Sequence, residues 1–305
     1  MRPAFSIIFL TTLTGAGQGL FLLLYATEML HAAVTPGFYI GGSLLVLGLS
    51  ALGLLASFFH LGHPSRSWRA MTMWRTSWLS REVIVLMGFL GMVLLYLLAH
   101  WSGLGLTAVL GGMASVLALG LFVCTGMVYV AIKVMKEWVS PLTVANFFLM
   151  GCASGATLAS AYALVGAPDL VPHFIEVALI ATLLALLGRS AALIRNARLK
   201  PTTTLQSAIG IRHPRIVQKA QGAMGGSFNT REFFHGKSDA FIRAIKPAFI
   251  TLAFVVPLAL LAAGLSRPWL LPLVFVLQYL GLLAERWFFF AEANHPQNLY
   301  YQIIS

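Results

Sequence analysis

Residues Val83 to Ala99 read VIVLMGFLGMVLLYLLA, a run with no charge, amide or proline. No face of this segment is polar, so it cannot lie on the outside of a water-soluble fold. A barrel strand would alternate polar and apolar positions, whereas a helix satisfies its own backbone and crosses about 30 Å of hydrocarbon with roughly 20 residues. Working outward, comparable runs precede it at Phe5 to Thr27 and Phe38 to Leu61. Others follow at Leu106 to Ile132, Leu142 to Val165, Pro172 to Ile194, Phe249 to Leu265 and Trp269 to Phe290. At 59% hydrophobic and 10% charged residues, with mean hydropathy +0.85, the chain lacks the polar surface to coat a soluble globule. The expectation is an all-α integral membrane protein, one transmembrane domain of about eight helices over residues 1–305. The first run follows only Arg2 and meets no small-residue cleavage pattern, so it is expected to be retained.

A net charge of +11 could suggest nucleic acid, but the basic residues lie between lipid-soluble segments and read better as topology. By these spans Arg267 alone falls on one side, and the other nineteen of the twenty Lys and Arg fall on the opposite one. Leaving out the ten from Arg195 to Lys246, because long loops count little, the bias is still nine to one. Both termini are therefore expected in the cytoplasm, which makes that face the working face. The two cysteines, Cys124 and Cys152, fall inside helices and read as packing residues; they cannot ligate a four-cysteine cluster.

The densest polar stretch is the second connection, His60-Leu61-Gly62-His63-Pro64-Ser65-Arg66-Ser67-Trp68-Arg69, ending in Trp78-Leu79-Ser80-Arg81-Glu82. His60 would close one helix at headgroup depth and Glu82 would open the next. A histidine and a carboxylate at that depth can hold a quinone carbonyl and exchange its protons with water. Each also has an ordinary reading, as a helix-terminal His and a first-turn acid. Arg66, Arg69 and Arg75 read equally as positive-inside charges that snorkel to phosphates, and Trp68, Trp74 and Trp78 as an interfacial aromatic belt. Near the end of the last helix, Glu285-Arg286 precedes Trp287-Phe288-Phe289-Phe290; an ionisable pair there either faces the bundle and completes the same pocket or simply ends the span.

Gln18, among Gly15, Gly17 and Gly19, reads first as close helix packing. Glu28, His31, His100, Asp169, His173 and Glu176 fall at the opposite face, where they could form the exit of a proton path. No histidine lies near a helix centre, so no haem is expected, and no metal-binding or nucleophile motif is present. The sixth connection, Arg195 to Lys246, is long, basic and aromatic. It reads either as a linker lying on anionic headgroups or as a docking segment, the latter favoured by Phe228, Phe233, Phe234 and Phe241 beside Arg231 and His235.

The stretch His60-Leu61-Gly62-x-Pro64 followed by an arginine, then Leu79-Ser80-x-Glu82, with the eight-helix plan and the terminal Glu285-x-x-x-x-Phe290, resembles the membrane-anchor family of dimethyl sulfoxide reductase. That resemblance implies a subunit anchoring an iron–sulfur electron-transfer partner with 4Fe–4S clusters and a molybdopterin catalytic partner. It implies electron exchange with membrane ubiquinone or menaquinone, no haem, and a bacterial cytoplasmic membrane. His60 and Glu82 match the family's quinone pocket, and Arg66 matches with a less defined role. Trp68, Arg81, Glu285 and Arg286 join them as expected quinone-site residues, and Arg69, Arg75, Phe228, Arg231, Phe233, Phe234 and His235 as expected docking residues. The basic His60 side and the stretch Phe228 to Gly236 resemble the cytoplasm-facing, sulfite-oxidising subgroup, with a quinol-oxidising anchor as the alternative. A small-anion transporter is the rival from another class, supported by Gln18 and Asn146 alone.

Overall fold

The computed structural model describes residues 4–30, 34–59, 63–200, 204–217, 219 and 237–294. Among these, eight helices are long and apolar enough to cross a membrane, and no strand occurs. The first six spans are α1 (Phe5–Leu30), α2 (Pro36–Phe58), α3 (Trp78–Ser102), α4 (Thr107–Val130), α5 (Pro141–Gly166) and α6 (Val171–Ala197). A short helix α7 (Leu205–Ile209) follows. The seventh span joins α8 (Asp239–Ile250), a π turn (Thr251–Val255) and α9 (Val256–Gly264), and the last is α10 (Leu271–Glu292).

Local sequence explains where these helices start and stop. Ser77 accepts from the Ser80 N–H at 3.4 Å to begin α3, and Gly103, at φ +69°, ends it in the left-handed conformation open to glycine. Ser140 accepts from the Leu142 N–H and Pro141 occupies the first turn of α5. The seventh span carries Pro247 and Pro257, neither of which supplies an amide hydrogen. Pro257 cannot donate to Ala253 O as an α-helix would. There the backbone winds wider, with the Val256 N–H reaching Thr251 O, and buried Gln278 of α10 donates to Ala253 O at 3.4 Å.

Two helices form the centre. In α1 and α5, 61% and 56% of the membrane-crossing window is buried, against 33–39% in the other six. Their sequences make this possible. Gly15 and Gly19 of α1 face Gly151 and Gly155 of α5; a Cβ on Gly19 would stand 2.1 Å from Gly151 O, and one on Gly155 2.3 Å from the carbonyl carbon of Gly19. Only hydrogen at Gly19, Gly151 and Gly155 lets the backbones approach so closely, whereas a Cβ on Gly15 would meet an ordinary 3.7 Å contact. Around this pair, α2, α3 and α4 pack on one side and α6, α8, α9 and α10 on the other. The outward faces keep residues such as Leu44, Leu55, Leu94 and Leu187 exposed, as a lipid-facing surface requires.

The observed spans modify the expected boundaries. The second helix ends at Phe58, not Leu61, and α3 begins at Trp78, five residues before Val83. The sixth connection is shorter than 195–246, because α6 continues to Ala197 and α8 starts at Asp239. The charges in α8 lower its hydropathy while its apolar side still packs: the Phe241 ring lies 5.1 Å from Trp287, so Phe241 belongs in part to the bundle.

Candidate functional site

The first polar cavity lies between α1, α3, α4, α5 and α10. Its polar lining comes from Gln18, Glu82, Thr125 and Arg286, joined by threonines of α1; Leu86, Leu121, Phe122, Met150 and Leu282 supply apolar walls. Glu82 stands four residues into α3, Thr125 five residues from the end of α4, and Arg286 six from the end of α10. At 1.5 Å per residue this is about 6–9 Å below the helix ends, all on the basic side of the bundle. Thr125 donates to Glu82 Oε1 at 2.6 Å. Gln18 donates to Ala118 O at 3.3 Å and also lines the cavity, so it serves both packing and lining. Thr14 Oγ1 and Arg286 Nη1 are buried without a protein partner among the described residues.

Behind Arg286 lies a buried ion network. Glu285, fully buried, sits 2.7 Å from Arg189 Nε through one oxygen and 2.6 Å from Arg286 Nε through the other. Arg189 also reaches Glu292 at 3.6 Å. The Arg286 guanidinium lies over the Phe147 and Phe289 rings at 4.2 and 4.9 Å, and its Nη2 meets Met150 Sδ at 3.5 Å. Two cations matched by two carboxylates keep this region of the bundle near neutral, the condition for charge inside a membrane. Trp138, in the turn after α4, donates to Phe289 O at 3.1 Å and stacks on Phe289, holding the aromatic end of α10 in place.

A family model described as DMSO reductase anchor subunit (DmsC) matches residues 1–290. The chain belongs to the DMSO reductase anchor subunit family. It is also 51% identical to a sulfite dehydrogenase subunit of Allochromatium vinosum over 329 aligned positions, covering 100% of both chains. No solved structure matches it. Membership agrees with the resemblance carried by the His60 and Glu82 segments, and the likeness to a sulfite dehydrogenase subunit is consistent with the expected subgroup.

In this anchor subunit the expected site residues divide by position. Glu82 and Arg286 share one cavity, and Glu285 fixes Arg286 from behind. Glu82 lies a full turn inside α3, beyond reach of a first-turn dipole effect, so the Thr125 hydroxyl is its local support. Arg81 turns the other way, donating to Trp74 O and Arg75 O at 2.8 Å and covering the Trp78 ring. Arg66, Trp68, Arg69 and Arg75 are exposed on or just after a 3₁₀ segment, Pro64–Met71, outside the cavity lining. Their exposure suits contact with headgroups or a partner. His60, Phe228, Arg231, Phe233, Phe234 and His235 lie outside the described residues.

Arg189 is the member that sequence reasoning misses. A charge count groups it with the basic connections, yet it sits inside α6, 3% exposed. Its signal is an arginine within LLALLGRSAALI, residues 183–194, where an unpaired charge has no place. Removing Arg189 and Arg286 from the topology count as bundle residues leaves seven against one, with the same sign. At the opposite end, Glu28 accepts from the Tyr96 hydroxyl at 2.8 Å and pairs with His100 Nε2 at 3.4 Å, while Tyr39 stacks on His100. Ten residues of α1, about 15 Å, separate Glu28 from Gln18, and fully buried Phe21, Leu24 and Phe89 fill the core between them.

Proposed function

We propose that this chain anchors a sulfite-oxidising complex and that the cavity between Glu82 and Arg286 receives the head of a ubiquinone or menaquinone. In this reading an iron–sulfur subunit and a molybdopterin catalytic subunit dock at the basic end, on the cytoplasmic face. The observation that carries it is the meeting of Glu82 with Arg286, two hundred residues apart in sequence, in one cavity just inside that end. The sulfite direction rests on the likeness to the sulfite dehydrogenase subunit, and the same groups would serve quinol oxidation.

The chemistry of the cavity lining suits such a ligand. A quinone head is a flat apolar ring with two carbonyl oxygens, and the lining offers apolar walls, hydroxyls and an uncommitted guanidinium N–H. Bound there, the quinone supplies a two-electron, two-proton redox couple. Arg286 Nη1 and the Thr14 hydroxyl would donate to carbonyl oxygens, Glu82 would carry a proton to or from one of them, and Leu86, Leu121 and Leu282 would exclude bulk water. By family resemblance His60 would also belong to the quinone site.

The test is purification of the complex in mild detergent, with mass spectrometry of its subunits and extracted quinones, followed by assay of Glu82→Gln. Sulfite oxidation with an artificial acceptor should persist while quinone-dependent turnover falls by about a hundredfold or more, the usual weight of a positioned acid–base group. Quinone-dependent turnover unchanged in Glu82→Gln would remove the cavity from the reaction. Recovery of the chain alone, free of quinone, from an otherwise detergent-stable preparation would remove the anchor reading.

A further inference from the structure

A second, smaller polar cavity adjoins the first, and Arg286 lines both. It lies towards the end of the bundle, under the turn between α4 and α5. Arg195 of α6 holds that turn by donating to Lys136 O, Glu137 O and Val139 O at 3.1, 3.3 and 2.8 Å. Inside, Asn146 and Arg189 are 4% and 3% exposed. Asn146 Oδ1, Glu137 Oε2, Arg189 Nη2 and Arg286 Nη1 have no hydrogen-bond partner from the protein among the described residues, although Arg189 Nη2 stands 3.6 Å from Glu292. Polar atoms of this kind are costly to bury unpaired, and a small polar space where several donors and acceptors converge suits an ordered water molecule.

We propose that this second cavity is a hydrated proton inlet serving the Glu82 cavity. The proposal rests on the quinone reading of the first cavity and adds a route to it. Reduction of one quinone to quinol consumes two electrons, from the iron–sulfur partner, and two protons. Each proton enters at the Glu137 carboxylate, in the turn at the basic end, passes along water oriented by Asn146 and Arg286, and reaches Glu82. Both carboxylates end each cycle in their starting state. Arg286 stays protonated throughout; besides its bond to the quinone, it orients water on both sides of the wall. Arg189, Glu285 and Glu292 set the local charge without carrying the proton.

The test uses the whole complex, with sulfite as donor and a short-chain ubiquinone as acceptor. Glu137→Gln and Asn146→Leu should each slow quinone-dependent turnover about tenfold or more while artificial-acceptor activity stays unchanged. The solvent deuterium isotope effect should rise in both variants, and a small weak acid such as formic acid should restore Glu137→Gln. Unchanged turnover in both variants overturns the inlet, as does slowing without an isotope effect or rescue, since a merely structural lesion would do that. Loss of activity in Glu82→Gln alone would retire the inlet and leave the quinone reading standing; quinone-dependent activity intact in Glu82→Gln would retire both.

Discussion

Glu285→Gln is the sharpest perturbation of this bundle, because one residue neutralises two buried cations. Glu285 is 0% exposed, and Arg189 and Arg286 are 3% and 4% exposed. Without its charge, Arg189 keeps Glu292 at 3.6 Å and the Phe249 and Phe288 faces, and Arg286 keeps Met150 Sδ and two aromatic faces. Breaking a buried pair in this way costs about 3–5 kcal/mol, most of it from the stranded charge. Removing the surplus cation as well, in Glu285→Gln with Arg189→Met, should recover about 1–3 kcal/mol, the coupling expected of residues in one network. The assay is unfolding of the purified chain in mild detergent by added denaturing detergent, followed by tryptophan fluorescence. A single variant within about 0.5 kcal/mol of wild type, the range of an unremarkable surface change, would refute the reasoning. So would a double variant weaker than the single one.

Gly155→Ala should loosen the central helix pair: the new Cβ would sit 2.3 Å from the α1 backbone, and moving it out to 3.4 Å needs a helix shift of about 1 Å. Overpacking at the upper end of about 1–3 kcal/mol, less roughly 1 kcal/mol of helix propensity gained, leaves about 2 kcal/mol of destabilisation. Gly48→Ala, which meets nothing within 4 Å, is the control that should be neutral or stabilising in the same detergent titration. At the other end of the bundle, Tyr96→Phe removes the 2.8 Å bond to Glu28 and should cost about 1.5–3 kcal/mol. Quinone-dependent turnover per folded complex should stay unchanged, which a steady-state assay would check; a selective loss of turnover would instead tie the Glu28 cluster to the reaction.

Much of the architecture was legible because a membrane imposes a one-dimensional rule: about 20 apolar residues per crossing, with basic residues gathered on one side. All eight spans end, and seven begin, within about five residues of where hydropathy puts them; the start of the seventh is displaced because α8 mixes Arg243 and Lys246 with packing residues such as Phe241. The site was legible in part. Glu82 and Arg286 stand out as ionisable residues near helix ends, but Thr125 and Gln18 look like ordinary members of apolar helices. Arg189 disappears into a charge count that asks only which side a residue is on.

Taken alone, the sequence determined that the chain lives in lipid, that it crosses about eight times, and that its basic end is distinct. These follow from composition and spacing, which sum over many residues and tolerate local error. Tertiary structure alone decided that Glu82, Thr125 and Arg286 line one cavity, that Glu285 is shared by two arginines, and that Arg286 separates a first cavity from a second. The physical reason is rotational. Hydropathy fixes the depth of a residue along a membrane helix, but a helix apolar on every side gives little sign of which face turns inward, and that is set by where glycines let neighbours approach and where buried charges find partners.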